Sequence, residues 1–243
     1  MKNSLSFVFI FLWSSAFVTT KPIVDNSDPF SALAFRFFLV AIGFLMYAKY
    51  KKISLKLEKR ELSNSILSGV LFHGIYLGGV FYSVSLGVPT GITALIVTMQ
   101  PVLTNALAGP ILNEKVGWRQ WVGVILGFSG AAIVLGLDLG DALPSIGILA
   151  SFIALASITS ATLLQKRFGG NAPLPVSNMY QAAGGCIFHI LIVIFFAEAF
   201  INFNKTFLIA MSHQIFLVSF GAFTILMYLI TVSYTHLTLP TKA

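Results

Sequence analysis

Residues 90–136 read TGITALIVTMQPVLTNALAGPILNEKVGWRQWVGVILGFSGAAIVLG. The stretch contains the apolar run Thr90–Leu112 and all but the last residue of the run Trp118–Leu137. Each run is long enough to cross a bilayer, which takes about 20 helical residues. The polar elbow Asn113-Glu114-Lys115 joins them. The stretch therefore predicts two membrane-spanning helices with a charged turn between them.

Each run carries residues that shape a helix. Pro101 in the first run removes a backbone donor and clashes with the preceding turn, so we expect a bend or local unwinding there. In the second run Gly123, Gly127 and Gly130 lie nearly on one face. Small residues on one face let another helix approach closely, which predicts a packing surface.

The whole chain has the composition of a membrane protein. Of its 243 residues 57% are hydrophobic and 9% are charged, against about 25% charged in a soluble domain, and the mean hydropathy is +0.89. We predict an all-α polytopic membrane protein of about eight spans. They are Leu5–Lys21, Phe30–Ala48, Leu62–Leu86, Thr90–Leu112, Trp118–Leu137, Ser145–Gln165, Val176–Ala197 and His213–Val232.

The positive charges set the expected orientation. The net charge is +7, but six of the cations crowd the short loop between Lys49 and Arg60, as in proteins oriented by their juxtamembrane loops. Placing the amino terminus inside leaves twelve of fifteen Lys and Arg residues cytoplasmic and two outside. We predict a multi-pass protein of the inner (cytoplasmic) membrane with a cytoplasmic amino terminus, an uncleaved first helix and no nucleic-acid partner.

The chain contains a weak internal repeat. Residues 16–36 align with residues 161–181 at a constant offset of 145, which pairs Lys21 with Lys166 and Arg36 with Gln181, and a slightly larger offset pairs Tyr76 with Tyr228. Five spans in the first unit make its copy enter the membrane from the opposite side. Inverted repeats in transporters place the substrate near the midplane.

The repeat divides the chain into three parts. We predict a first repeat at 1–137 with helices 1–5, an incomplete second repeat at 145–232 with helices 6–8, and a non-native tail at 233–243, whose Thr/Pro-rich composition breaks the apolar pattern.

Several features in order resemble the EamA-type transporters of the drug/metabolite transporter (DMT) superfamily. They are Trp13-Ser14-Ser15-Ala16-Phe17, then Arg36, then Pro101 followed by Glu114, and a Gly-rich fifth span. The resemblance implies a ten-helix bundle of two five-helix inverted repeats, cytoplasmic termini, and export or uptake of small metabolites. With eight of ten helices, the second repeat is expected to be truncated.

The candidate functional residues are polar or aromatic groups near span centres. Trp13, His73, Gln100 and Ser157 lie about ten residues from a span end, near the midplane, where a polar side chain needs a partner. We take as candidate substrate-binding residues Trp13, His73, Tyr76, Gln100, Ser157 and Tyr228. Helix packing remains an alternative for the aromatic residues, and interhelical hydrogen bonding for Gln100 and Ser157.

A second group is predicted to serve structure or gating. It comprises Arg36, Pro101, Glu114, Gly123 and Gly127. Arg36 is expected to lie shallow enough to snorkel, pairing with Asp25, Asp28 or carbonyl groups, with recognition of an anionic substrate as the alternative. The family pattern gives Glu114 a gating or folding role, against a surface ion pair.

The predicted function is that of a permease or exporter that moves small metabolites, including amino acids or drug-like compounds, by alternating access. A non-transporting scaffold or accessory subunit is one alternative, and an integral-membrane lipid-modifying enzyme is another, although the four His are scattered and lack metal-binding spacing. We expect no catalytic residue, metal or cofactor. The expected partners are the lipid bilayer and a small-molecule substrate, and a homodimer is left open.

Overall fold

The computed structural model describes residues 2–112, 117–118, 121–123, 125–126, 129–130, 133, 143–168 and 172–229. These residues form an all-helical bundle. Its helices are α1 Lys2–Val24, α2 Pro29–Tyr50, α3 Lys59–Ser85, α4 Thr90–Val97, α5 Gln100–Leu112, α6 Ser145–Phe168, α7 Leu174–Phe196 and α8 Lys205–Leu229.

Seven helices in the described part of the chain are long and apolar enough to span a membrane, with α4 and α5 as two halves of one of them. The all-α polytopic fold predicted from composition is therefore confirmed. The predicted span Trp118–Leu137 and the tail at 233–243 lie wholly or mainly outside the described residues.

Pro101 explains the break between α4 and α5. Proline has no N–H to donate to the carbonyl of Val97, and its ring disfavours the preceding turn. The helix accordingly stops at Val97, passes through a turn at Thr98 and Met99, and resumes at Gln100. The local unwinding expected from the sequence is therefore present.

The last helix begins eight residues before its predicted start at His213. Residues 198–212 look polar enough for a loop, but Asn204 caps a helix by accepting a hydrogen bond from the backbone N–H of Phe207 at 2.9 Å. A capping side chain satisfies a backbone donor that would otherwise be unpaired. The cap therefore extends the helix into a segment that hydropathy alone assigns to a loop.

The α1–α2 and α7–α8 connections meet at one end of the bundle. The backbone of Asp28 donates to Phe200, that of Asn202 donates to Asn26, and Ser27 forms an isolated antiparallel bridge with Ile201. These bonds join two turns that lie about 170 residues apart in the sequence. They fix the relative positions of the helices that follow and precede them.

Glycines set the distance between α3 and its neighbours. A Cβ added at Gly184 would lie 2.8 Å from the carbonyl oxygen of Ile66, and one at Gly79 would lie 2.7 Å from that of Ala150. Real Cβ atoms essentially never come so close to another backbone, so α3 contacts α6 and α7 nearly backbone to backbone. All three helices contribute to the main buried cluster, together with α2 and α8.

Candidate functional site

Two adjoining cavities lie among the helices and share Trp13 and Phe17 in their walls. The first, which we call the narrow cavity, has a volume of about 30 Å³, enough for about two water molecules. The second, the wide cavity, has a volume of about 330 Å³. Together they form the candidate substrate site.

The narrow cavity brings together side chains from four helices. Trp13 comes from α1, Arg36 from α2, His73 and Tyr76 from α3, and Gln214 from α8. These side chains are far apart in the sequence and include three of the predicted binding residues. Tyr228 does not line either cavity and is 45% exposed.

Both π-helical segments of the described chain border the narrow cavity. Val70–Tyr76 supplies His73 and Tyr76, and Gln214–Ala222 supplies Gln214 and Ser219. A π turn shifts backbone hydrogen bonds by one residue, and such turns are frequent at functional sites. Their joint position marks this cavity as the irregular centre of an otherwise regular bundle.

His189 supports the first π segment. Its Nε2 donates to the backbone carbonyl of His73 at 2.8 Å, so the proton is fixed on Nε2 by the acceptor. His189 is fully buried, and its ring stacks on Phe37 with centroids 6.2 Å apart. His189 therefore has a specific polar partner within an otherwise aromatic environment.

Trp13 and Tyr76 form the aromatic wall of the site. Their rings are stacked, with centroids 6.4 Å apart and planes 7° from parallel. Tyr76 is 3% exposed, whereas Trp13 is part-buried and lines both cavities. Stacked rings offer a flat apolar face to a ligand without losing much side-chain freedom.

Arg36 differs from its expected surroundings. The side chain is 2% exposed, and its Nε donates to Ser219 Oγ at 3.0 Å, while Nη1 has no partner. The expected acidic partners are engaged elsewhere: Asp25 pairs with Lys21, and Asp28 caps α2. The guanidinium is therefore buried within the bundle, without an ion pair to any described residue.

Such a placement is costly unless something compensates it. An isolated buried charge loses several kcal/mol of hydration, which an opposite charge must largely restore. An ionisable group inside a membrane protein is therefore a candidate functional residue by default. Anion recognition was the predicted alternative for Arg36, and this geometry favours that alternative.

The wide cavity opens where α4 breaks. Thr98, Gln100 and Pro101 line it, facing Phe9 and Trp13 of α1. Gln100 Nε2 donates to Thr104 Oγ1 at 3.0 Å and to Thr162 Oγ1 at 3.2 Å, which ties α5 to α6. Gln100 thus both lines a cavity and bridges helices, the two roles that the sequence left open.

Ser157 and Gly123 line neither cavity. Ser157 donates to the carbonyl of Leu71 at 2.9 Å, the interhelical role considered as its alternative. A Cβ at Gly123 would meet nothing within 4 Å, so the described residues do not show the close packing expected of it. Glu114 and Gly127 lie outside the described residues.

Gln214 and Ser219 line the narrow cavity but were not among the residues predicted from the sequence. Gln214 was hidden because the eighth span was taken to begin at His213, which put the amide at a membrane surface rather than inside the bundle. A glutamine well inside a span would have been recognised as needing a partner. Ser219 carried no signal, since a lone serine among apolar residues is common in membrane helices.

The chain is similar to known transporter proteins. The EamA-like transporter family matches residues 2–136. The uncharacterized transporter YvbV of Bacillus subtilis is 26% identical over 81% of this chain and 63% of its own length. The S-adenosylmethionine uptake transporter of Rickettsia prowazekii is 30% identical over 62% of this chain and 50% of its own length.

Other matches extend the similarity to the fold. A probable amino-acid metabolite efflux pump of Salmonella typhimurium is 22% identical over 70% of this chain and 55% of its own length. The chain thus spans about half to two-thirds of these curated relatives. One crystal structure superposes with a TM-score of 0.68 at 20% identity, over 95% of this chain and 82% of the other. With more than half of its residues matched by the family, this chain belongs to the EamA-like transporter family.

Proposed function

We propose that this protein is a secondary transporter that moves small metabolites across the cytoplasmic membrane through the two adjoining cavities. The observation that carries the proposal is the narrow cavity, where Trp13, His73 and Tyr76 meet Arg36 and Gln214 beside both π segments. Polar and aromatic groups that converge in a largely apolar cavity are the usual features of a small-molecule site.

The relatives support the chemical class of the cargo. One is named for S-adenosylmethionine uptake and another for efflux of amino-acid metabolites. Both names describe small polar metabolites, and both belong to transporters rather than enzymes. Amino acids and similar metabolites are therefore the first compounds to assay, with the direction of transport as part of the measurement.

Helix pairing supports the proposed inverted repeats. α2 packs along α7, and these are the helices that the offset of 145 relates. The same offset relates α1 to α6 and α3 to α8. α1 packs against α8 and α3 packs against α6, so each of these contacts has its counterpart in the other unit. Rocking of two such units around a shared site is the usual route to alternating access.

The π segments support a uniform offset. Adding 145 to residues 70–76 gives 215–221, which lies within the second π segment at 214–222. This register pairs Tyr76 with Gly221 instead of Tyr228. The position of Tyr228 outside both cavities fits this smaller offset better than the larger one.

The orientation belongs to the same proposal. Lys51, Lys52 and Lys56 lie exposed in the connection between α2 and α3, and Lys166 and Arg167 end α6. Cations at membrane surfaces favour the cytoplasm. With the amino terminus inside, both groups of cations lie on the cytoplasmic side.

Flux through reconstituted vesicles tests the function. The purified protein is reconstituted into proteoliposomes, and the vesicles are loaded with labelled amino acids or S-adenosylmethionine. Exchange of the label is measured for the wild type, Trp13→Ala and Trp121→Ala. We expect Trp13→Ala to lower the flux at least tenfold, because about 1.4 kcal/mol of lost contact has that effect. Trp121, 47% exposed and outside the cavities, is the matched control.

A scaffold without transport activity would give the opposite result. No metabolite in the panel would cross faster than through protein-free vesicles, and Trp13→Ala would behave as the wild type does. Equal losses in Trp13→Ala and Trp121→Ala would also reject the site.

A further inference from the structure

Two polar atoms in the walls of the narrow cavity lack partners among the described residues. They are Arg36 Nη1, a charged donor, and Gln214 Oε1, an acceptor. The amide of Gln214 cannot be reversed, because its nitrogen donates to the carbonyl of Ala16 at 2.8 Å and to Thr19 Oγ1 at 2.9 Å. A ligand that carries the complementary acceptor and donor would satisfy both atoms.

The charge of Arg36 favours an anionic ligand. Arg36 Nε donates a hydrogen bond to the neutral hydroxyl of Ser219, and no described carboxylate lies within ion-pair distance of the guanidinium. A guanidinium is planar and matches the two oxygens of a carboxylate or phosphate. The positive charge is therefore available inside the bundle for a group that enters from outside.

The narrow cavity is small, with a volume of about 30 Å³. A planar carboxylate matches the planar guanidinium with two oxygens and takes less room than a tetrahedral phosphate. A carboxylate therefore suits this cavity.

The wide cavity has room for the remainder of the molecule. It shares Trp13 and Phe17 with the narrow cavity, so a ligand with its carboxylate at Arg36 can extend past these two rings. The volume of about 330 Å³ and the mainly apolar lining suit a small organic group, for which the Trp13–Tyr76 stack provides a flat contact.

We propose that Arg36 binds the carboxylate of a small amphipathic acid in the narrow cavity, while Gln214 Oε1 accepts a hydrogen bond from an ammonium or hydroxyl group beside that carboxylate. The apolar part of the molecule occupies the wide cavity. This inference rests on the proposed transport function and narrows its substrates to hydroxy or amino carboxylic acids.

Equilibrium binding to the purified chain in detergent tests the inference without requiring transport. The probes share one benzene ring: L-phenylalanine, L-phenylalanine amide, 3-phenylpropionate and phenyl phosphate. We expect L-phenylalanine to bind about 10- to 100-fold more tightly than its amide, because a hydrogen bond to a charged group raises the affinity by about that factor. 3-Phenylpropionate, which lacks the ammonium group, should bind about tenfold more weakly than L-phenylalanine, and phenyl phosphate more weakly still.

Variants of Arg36 test whether this side chain causes the preference for the acid over the amide. Arg36→Gln should bind acid and amide equally, whereas Arg36→Lys, which keeps the charge but loses the planar fork, should keep part of the preference. Lys21→Gln removes an exposed cation outside both cavities and should behave as the wild type does. Thermal unfolding of each variant shows that the protein is folded, and the rescue by lysine separates recognition from folding.

Failure of each proposal has its own signature. Equal binding of acid and amide by the wild type, a preference that survives in Arg36→Gln, tighter binding of phenyl phosphate, or no binding of any probe would overturn this inference. Equal binding of the two acids would remove Gln214 from it. Arg36-dependent binding without flux of any metabolite would instead overturn the transport function and leave the site standing.

Discussion

Replacing Gly69 by alanine tests how closely α3 and α7 pack. An added Cβ would lie 2.6 Å from both the carbonyl carbon and the Cα of Gln181, and would also clash with the carbonyl oxygen. Ordinary contact begins at 3.4 Å, so relieving the contacts at 2.6 Å alone separates the helices by about 0.8 Å, and the closer carbonyl oxygen requires more. Backbone atoms cannot rotate away, which makes the two helices themselves move.

The expected loss follows from two opposing terms. Overpacking costs about 1–3 kcal/mol, and a backbone clash lies at the upper end of that range. Alanine gains about 1 kcal/mol over glycine within a helix. The net destabilisation is about 2 kcal/mol, which lowers the Tm of a chain of this size by about 4–8 °C.

Thermal unfolding in detergent micelles measures this loss directly. Gly91→Ala is the matched control, because a Cβ there meets nothing within 4 Å and the substitution should leave the Tm unchanged or slightly raised. If Gly69→Ala unfolds at the wild-type temperature, α3 and α7 do not approach each other at this point. The reasoning that places His73 beside α7 would then fail.

Three further bonds are tested by substitution with the same unfolding measurement. Asn204→Ala should cost about 1 kcal/mol by removing the cap of α8, and no loss would show that the helix starts later. His189→Phe should cost about 1–3 kcal/mol by leaving the carbonyl of His73 without its donor, and His189→Gln should recover part of that loss. Gln100→Ala and Thr162→Val should be coupled by about 0.6 kcal/mol in a double-mutant cycle, and strict additivity would deny their bond.

The spans were predictable because the physics that selects them is local. Hydrocarbon thickness sets the number of apolar residues that a helix needs, so runs such as Ser145–Gln165 lie within a few residues of the observed α6. Pro101 acts on its own turn, and its effect on α4 could be derived without knowing any neighbour. The start of α8 could not be derived in this way, because the Asn204 cap begins the helix in a segment whose polarity predicts a loop.

The site depended on contacts between distant residues, which the sequence shows only in part. Trp13, His73 and Tyr76 were found because aromatic and polar groups stand out within apolar spans. The depth of Arg36 was misjudged because α8 covers it, and nothing near position 36 announces Ser219 as its partner. Polarity thus identified candidates, whereas the pairing of helices decided which of them meet.

Fluorescence of Trp13 in the presence of a transported metabolite tests the central claim most directly. The chain has three tryptophans, so Trp118→Phe combined with Trp121→Phe leaves Trp13 as the single reporter. The account predicts that a transported metabolite changes this emission with a midpoint equal to that of its flux, and that Tyr76→Ala weakens both. A metabolite that is transported with no change at Trp13, and with no effect of Tyr76→Ala, would contradict it.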